Sequence, residues 1–109
     1  MLTAAAVLTA LGPQTTLPTT VVPGRGADEI VLVGGGDVSL SSGSGDPEAV
    51  NGRAGLDELA RQTAESLQKQ NRSSVQLLLD DGLFTGPTRA PGWSASDVND
   101  GYVTPIQTL

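Results

Sequence analysis

The sequence predicts a mixed α/β (α+β) fold, and three observations carry that expectation. Leu56, Leu59, Ala60, Thr63, Ala64 and Leu67 fall at offsets 0, 3, 4, 7, 8 and 11, the repeat of one helix face. Two short aliphatic runs, Asp28–Val33 (DEIVLV) and Val75–Leu79 (VQLLL), stop at Gly34-Gly35-Gly36 and Asp80-Asp81-Gly82, as strands stop at turns. Leu2–Leu11 (LTAAAVLTAL) is rich in Ala and Leu and is followed by Gly12-Pro13, the signature of a helix and its stop.

Taken in order, Leu2–Leu11 is apolar on nearly every side, as a helix buried in a larger protein would be; a fragment of that protein is expected to expose it. No positive residue precedes it, which argues against a signal peptide, and it is too short to span a bilayer. Thr15–Val22 is rich in Thr and Val and reads as a strand, with Pro18 marking an edge or an interruption. With Pro23–Ala27 as a turn and Asp28–Val33 as the second strand, residues 15–33 are expected to form a hairpin. Ser41–Asn51 (SSGSGDPEAVN) is of low complexity, and 41–52 reads as a flexible surface loop.

The helix Leu56–Lys69 carries Glu65 four residues before Lys69, an ion pair in the favourable order. Val75–Leu79 then reads as a buried strand. From Leu83 to Leu109 the chain is expected to be mostly irregular, broken by Pro87, Pro91 and Pro105.

Composition narrows the function classes. The net charge is −6, and the six Lys and Arg residues form no cluster, so no nucleic-acid surface is expected. The chain contains no Cys and no His. Disulfides and thiolate metal sites are excluded, and the commonest metal ligand and general base is missing; neither metal nor cofactor is expected. Phe84, Trp93 and Tyr102 are the only aromatic residues. The core must therefore be aliphatic, and thin for an independent domain.

Several local patterns resemble chemistry without supporting it. Gly34-Gly35-Gly36 follows a strand, but a Walker loop needs Gly-Lys-Ser/Thr, and here Asp37 and a Ser/Gly loop follow. A tight turn is the preferred reading. Ser66-Leu67-Gln68-Lys69 spells Ser-x-x-Lys, the nucleophile motif of serine penicilloyl enzymes. That nucleophile belongs at a helix start, where the dipole favours a developing anion. Ser66 stands in the last helical turn, so a solvated surface is preferred. The acidic pairs Asp28-Glu29, Asp57-Glu58 and Asp80-Asp81 diverge on strands, helix or turn and form no acid/base pair. Asn71-Arg72-Ser73 matches a glycosylation sequon, a match that chance supplies readily.

Three stretches in order resemble the low-molecular-mass class C penicillin-binding proteins, the D-alanyl-D-alanine carboxypeptidase/endopeptidase family. They are LTAAAVLTALGP (2–13), EIVLVGGGDVSL (29–40), and DDGLF (80–84) with APGW (90–93) ahead of Asp97, Tyr102 and Pro105. Val38 replaces the Pro usual in the family's Gly-Gly-x-Asp-Pro-x-Leu turn. The resemblance runs over nearly the whole chain and implies part of one transpeptidase/β-lactamase-like domain spanning 1–109, incomplete at both ends. It implies a serine peptidase that hydrolyses peptidoglycan stem peptides through an acyl-enzyme, with β-lactams as covalent partners, on the periplasmic or cell-wall side of the membrane.

In that family Ser-x-x-Lys, Ser-x-Asn and Lys-Thr-Gly make up the active site. By this resemblance the catalytic Lys would immediately precede Met1, and the other two motifs would follow Leu109. The only Lys, Lys69, is followed by Gln70, and no Ser-x-Asn occurs. No catalytic residue is therefore expected within this stretch, which alone would be inactive. Trp93, Asp97 and Tyr102 match the stretch that lines the family's site for the peptide side chain; an aromatic wall and a carboxylate would suit an ammonium-bearing stem peptide. The alternative is a non-catalytic binding or structural module that uses the Trp93 loop as its interaction surface.

Overall fold

The computed structural model describes all 109 residues. Its elements are α1 (Leu2–Leu11), β1 (Thr20–Pro23), β2 (Glu29–Val33), α2 (Leu56–Lys69), β3 (Gln76–Asp80) and α3 (Ala95–Asn99). The three strands form one sheet in the order β1-β2-β3, and the mixed α/β expectation holds.

β1 and β2 are the arms of an antiparallel hairpin in which Val21 faces Leu32 and Pro23 faces Ile30. Glu29 ties the turn. Its carboxylate accepts from Gly26 N–H at 2.8 Å, and its carbonyl accepts from Gly24 N–H at 3.0 Å. The sequence places the first strand at Thr15–Val22, whereas pairing begins only at Thr20. Pro18 has no N–H to give a ladder, so the hairpin opens past it. Thr19 is used differently: its hydroxyl accepts from Gly35 N–H at 3.2 Å.

β2 and β3 run parallel, with Ile30 beside Leu77 and Leu32 beside Leu79. Parallel neighbours require a crossover, and α2 supplies it. Successive side chains alternate faces, so Val21, Ile30, Leu32 and Leu77 share the face toward α2, where with Leu59, Ala60, Thr63, Ala64 and Leu67 they line one apolar layer. That layer is the core. Ile30, at 8% exposure, is its one buried large side chain, while Leu59, Thr63 and Leu67 are half-buried.

The start of α2 lacks a side-chain cap at Gly55. Loop carbonyls stand in: Leu56 N–H donates to Ser41 O at 2.9 Å and Asp57 N–H to Gly43 O at 3.2 Å. A Cβ at Gly55 would lie 2.0 Å from Gly43 O, so only glycine fits. Segment 41–52 closes on itself through Asp46 N–H to Gly52 O at 3.0 Å. Asp57 and Glu58 in the first turn and Lys69 in the last complement the helix dipole.

α1 forms as read, and in this chain all its residues are exposed and it packs against no other element, as expected of a helix that is buried only in a larger protein. Two packing expectations are corrected. β3 was expected to be buried and is exposed at all five positions, with Leu77 and Leu79 each at 60%. It lies at the sheet's edge. Finally, Glu65 pairs with Arg61 and not with Lys69. Arg61 already stands in a two-bond fork with Glu58, at 2.6 and 2.9 Å, which fixes it one turn before Glu65.

Candidate functional site

The strand end at Gly34-Gly35-Gly36 is where three distant segments meet. Gly34 N–H donates to Asp80 O and Gly36 N–H to Thr108 O, each at 3.0 Å. A Cβ on Gly34 would lie 2.7 Å from Thr108 O, and one on Gly35 only 2.2 Å from Pro18 O. The tight turn expected here is not formed: residues 34–37 run on without one, and glycine is required because neighbouring backbones approach too closely for any side chain. The buried Thr108 thus holds the end of the chain against the sheet.

Beyond β3 the chain is irregular apart from the short α3, as expected for Leu83–Leu109. Asp80 Oδ1 accepts from Gly82 N–H at 3.0 Å, the turn role foreseen for this acidic pair. Ile106 N–H donates to Thr88 O at 2.8 Å and brings the two limbs of the region together. A groove of about 490 Å³ lies along them, with Phe84, Pro87 and Ile106 among its walls.

α3 begins at Ser94, whose hydroxyl accepts from Ser96 N–H at 3.2 Å. This is a side-chain N-cap, and Asp97 stands three residues on, the acidic position of a capping box. The sequence carries this signal in Ser94-Ala95-Ser96-Asp97. Beyond α3 the chain doubles back: Asp97 O accepts from Tyr102 N–H at 2.8 Å and from Val103 N–H at 3.2 Å.

Asp97 and Tyr102 are therefore brought together by one backbone turn. Trp93 stands immediately before the cap, and its N–H donates to Ala90 O at 3.0 Å. Asp97 is half-buried, Trp93 is 37% exposed and Tyr102 is 80% exposed. None of the three lines the 490 Å³ groove, whose residues come from 81–88 and 106–108. Their surface is open, and α3 packs against no other element. The three candidate residues thus share one segment.

Ser66 and Lys69 are both exposed in the last turn of α2. Ser66 Oγ accepts from Gln70 Nε2 at 3.2 Å, and no hydrogen bond links it to Lys69. No group of three or more Asp and Glu side chains converges as a metal site would require. At the other end of α2, the Arg61 fork and a Gln62 amide bond at 2.6 Å lower the Glu58 pKa from its ordinary 4.5 to about 2.

Comparison with known proteins agrees with the sequence resemblance. Carboxypeptidase Rv3627c of Mycobacterium tuberculosis is 34% identical over 110 residues, covering 98% of this chain. Carboxypeptidase DacB of Mycolicibacterium smegmatis is 33% identical over 115 residues, covering all of it. The chain spans 23% of the length of each of these relatives. No solved structure matches it significantly. Residues 1–109 match, end to end, the profile of the D-Ala-D-Ala carboxypeptidase 3 (S13) family, and the chain belongs to that family.

Proposed function

We propose that this chain contributes the substrate-side scaffold of a serine-type D-Ala-D-Ala carboxypeptidase/endopeptidase acting on peptidoglycan stem peptides. The observation that carries the reading is the end-to-end match of residues 1–109 to the carboxypeptidase family. In the whole enzyme a serine would attack the D-Ala-D-Ala carbonyl, forming an acyl-enzyme and releasing D-alanine. Water would then hydrolyse the ester. A β-lactam would acylate the same serine. This chemistry would take place on the periplasmic or cell-wall side of the membrane.

Within this scheme the 109 residues are inert alone. Their one Ser-x-x-Lys pattern, Ser66–Lys69, sits at the wrong end of its helix, and neither Ser-x-Asn nor Lys-Thr-Gly occurs. Their contribution is the segment Trp93–Tyr102, whose aromatic rings and Asp97 carboxylate suit a cationic peptide side chain.

Two assays test the reading. The chain by itself is expected to take up no fluorescent penicillin and to release no D-alanine. Substituted for the matching stretch of the M. tuberculosis relative, it is expected to leave D-alanine release intact. Penicillin labelling of the isolated chain at Ser66, or a soluble but inactive chimaera, would overturn the proposal.

A further inference from the structure

The two edges of the sheet are built differently. β1 ends in Pro23 and is preceded by Pro18, residues that keep an edge from taking up a further strand. β3, Gln76–Asp80, holds no Pro and no Lys, and its pairing with β2 runs through all five residues without a bulge. All five are exposed, Leu77 and Leu79 each at 60%.

The ladder fixes which backbone groups this edge offers. Gln76 N–H donates to Asp28 O at 2.7 Å, and Asp80 O accepts from Gly34 N–H at 3.0 Å. Gln76, Leu78 and Asp80 therefore turn their peptide groups toward β2. Leu77 and Leu79 turn theirs away from it, since the direction alternates along a strand. No backbone group outside the sheet bonds to Leu77 or Leu79. Each leaves an N–H and a C=O unpaired at the edge, a template for another strand.

Set antiparallel against itself about Leu78, the sequence QLLLD meets a matching pattern. Leu77 stands opposite Leu79 of the second copy, and Leu79 opposite its Leu77. These are the residues with outward peptide groups, so both pairs are hydrogen-bonded. Leu78 meets Leu78 in the non-hydrogen-bonded position between them. Gln76 meets Asp80, so the one charged residue of the strand faces an amide donor and not a like charge. Leu77 lies on the face of the sheet that carries α2, and by alternation Leu79 does too. The paired leucines extend the apolar layer of one copy into that of the other.

We propose that β3 pairs antiparallel with β3 of a second copy of this chain, about a twofold axis at Leu78, so that the two sheets join into one. Such a contact uses the same patch on both copies and closes on itself. It involves no residue of the Trp93–Tyr102 segment and stands apart from the peptidase reading.

The chain contains no Cys, so single cysteines report the register. Sedimentation velocity of the unmodified chain is expected to show a reversible monomer–dimer equilibrium. Under mild oxidation Leu78→Cys should give a disulfide-linked dimer, because Cα atoms of a non-hydrogen-bonded pair lie about 4.5 Å apart, within disulfide reach. Leu77→Cys and Leu79→Cys, each displaced from its own copy by two residues along the strands, should cross-link alone at least roughly tenfold more slowly. Leu77→Lys places at the edge the charge that guards natural edges, and should be monomeric with an unchanged circular dichroism spectrum. A monomer at every concentration, a dimer retained in Leu77→Lys, or equal cross-linking at 77, 78 and 79 would each overturn the proposal. The last outcome would assign the association to another surface, such as the exposed α1.

Discussion

The ring of Phe84 occupies the space that a side chain on Gly36 would need. A Cβ at Gly36 would lie 2.7 Å from Phe84 Cζ, and the residue holds φ +78°. Two penalties therefore meet at one position: left-handed backbone and a steric overlap.

Gly36→Ala is expected to destabilise the chain by about 1–3 kcal/mol, read as a lower urea midpoint. Adding Phe84→Ala removes the overlap but not the backbone strain, so the double variant should lose less than the sum of the singles. Strict additivity would show that the ring contact contributes nothing. Gly35→Ala should cost more than Gly36→Ala, because the atom in its way, 2.2 Å from the Cβ position, is the Pro18 carbonyl oxygen, which cannot swing aside.

The core argument yields a second prediction. Ile30 is the one large buried side chain, while Leu77, its partner on β3, is 60% exposed. Ile30→Ala is expected to cost about 2–4 kcal/mol, toward the lower half of the range for core truncations because open clefts already flank it. Leu77→Ala should cost under about 1 kcal/mol. Equal losses in thermal or urea unfolding would place the core elsewhere.

The Glu58–Arg61–Glu65 cluster predicts a pH dependence. Hydrogen bonds from Arg61 and then Gln62 hold the Glu58 pKa at about 2 instead of 4.5. A carboxylate lowered in the folded chain contributes its stability above the unfolded value near 4.5 and loses it as pH falls through about 2. Helicity of α2, followed by far-UV circular dichroism at low salt, should fall more steeply across that window in the parent chain than in Glu58→Gln. Arg61 and Glu58 keep 57% and 41% of their side-chain surface in solvent, so the effect should shrink as salt is added. Identical profiles for parent and variant would exclude Glu58 as the source.

These features differ in how far they could be read beforehand. The face of α2 was legible because its period repeats over three turns, and β2 because an aliphatic run ends at three glycines. The exposure of β3 was not, since an aliphatic run specifies a need for burial without naming what provides it. Nor was the choice of Arg61 over Lys69 by Glu65: both stand four residues from it, and the Glu58 fork on Arg61 decides between them. At the candidate site, Trp93, Asp97 and Tyr102 were selected by resemblance. The Ser94 cap and the Tyr102 N–H bond to the Asp97 carbonyl, which shape their segment, come from local hydrogen bonding.

The same cap separates positioning from recognition in the last prediction. If Asp97 receives the ammonium group of a stem peptide, Asp97→Asn in an enzyme carrying this stretch should raise KM by roughly tenfold or more, the worth of a charge-assisted hydrogen bond. The release rate at saturating substrate should change little, since no reacting atom is touched. Tyr102→Phe keeps the ring and should change KM by no more than about twofold, as expected for an exposed hydroxyl. Ser94→Ala removes the N-cap and should lower stability by about 1 kcal/mol, with Ser94→Asp restoring it. The kinetic assay must use stem peptides with and without the side-chain ammonium. A KM effect of Asp97→Asn that is the same for both would remove Asp97 from recognition and leave it as part of the turn that Tyr102 closes.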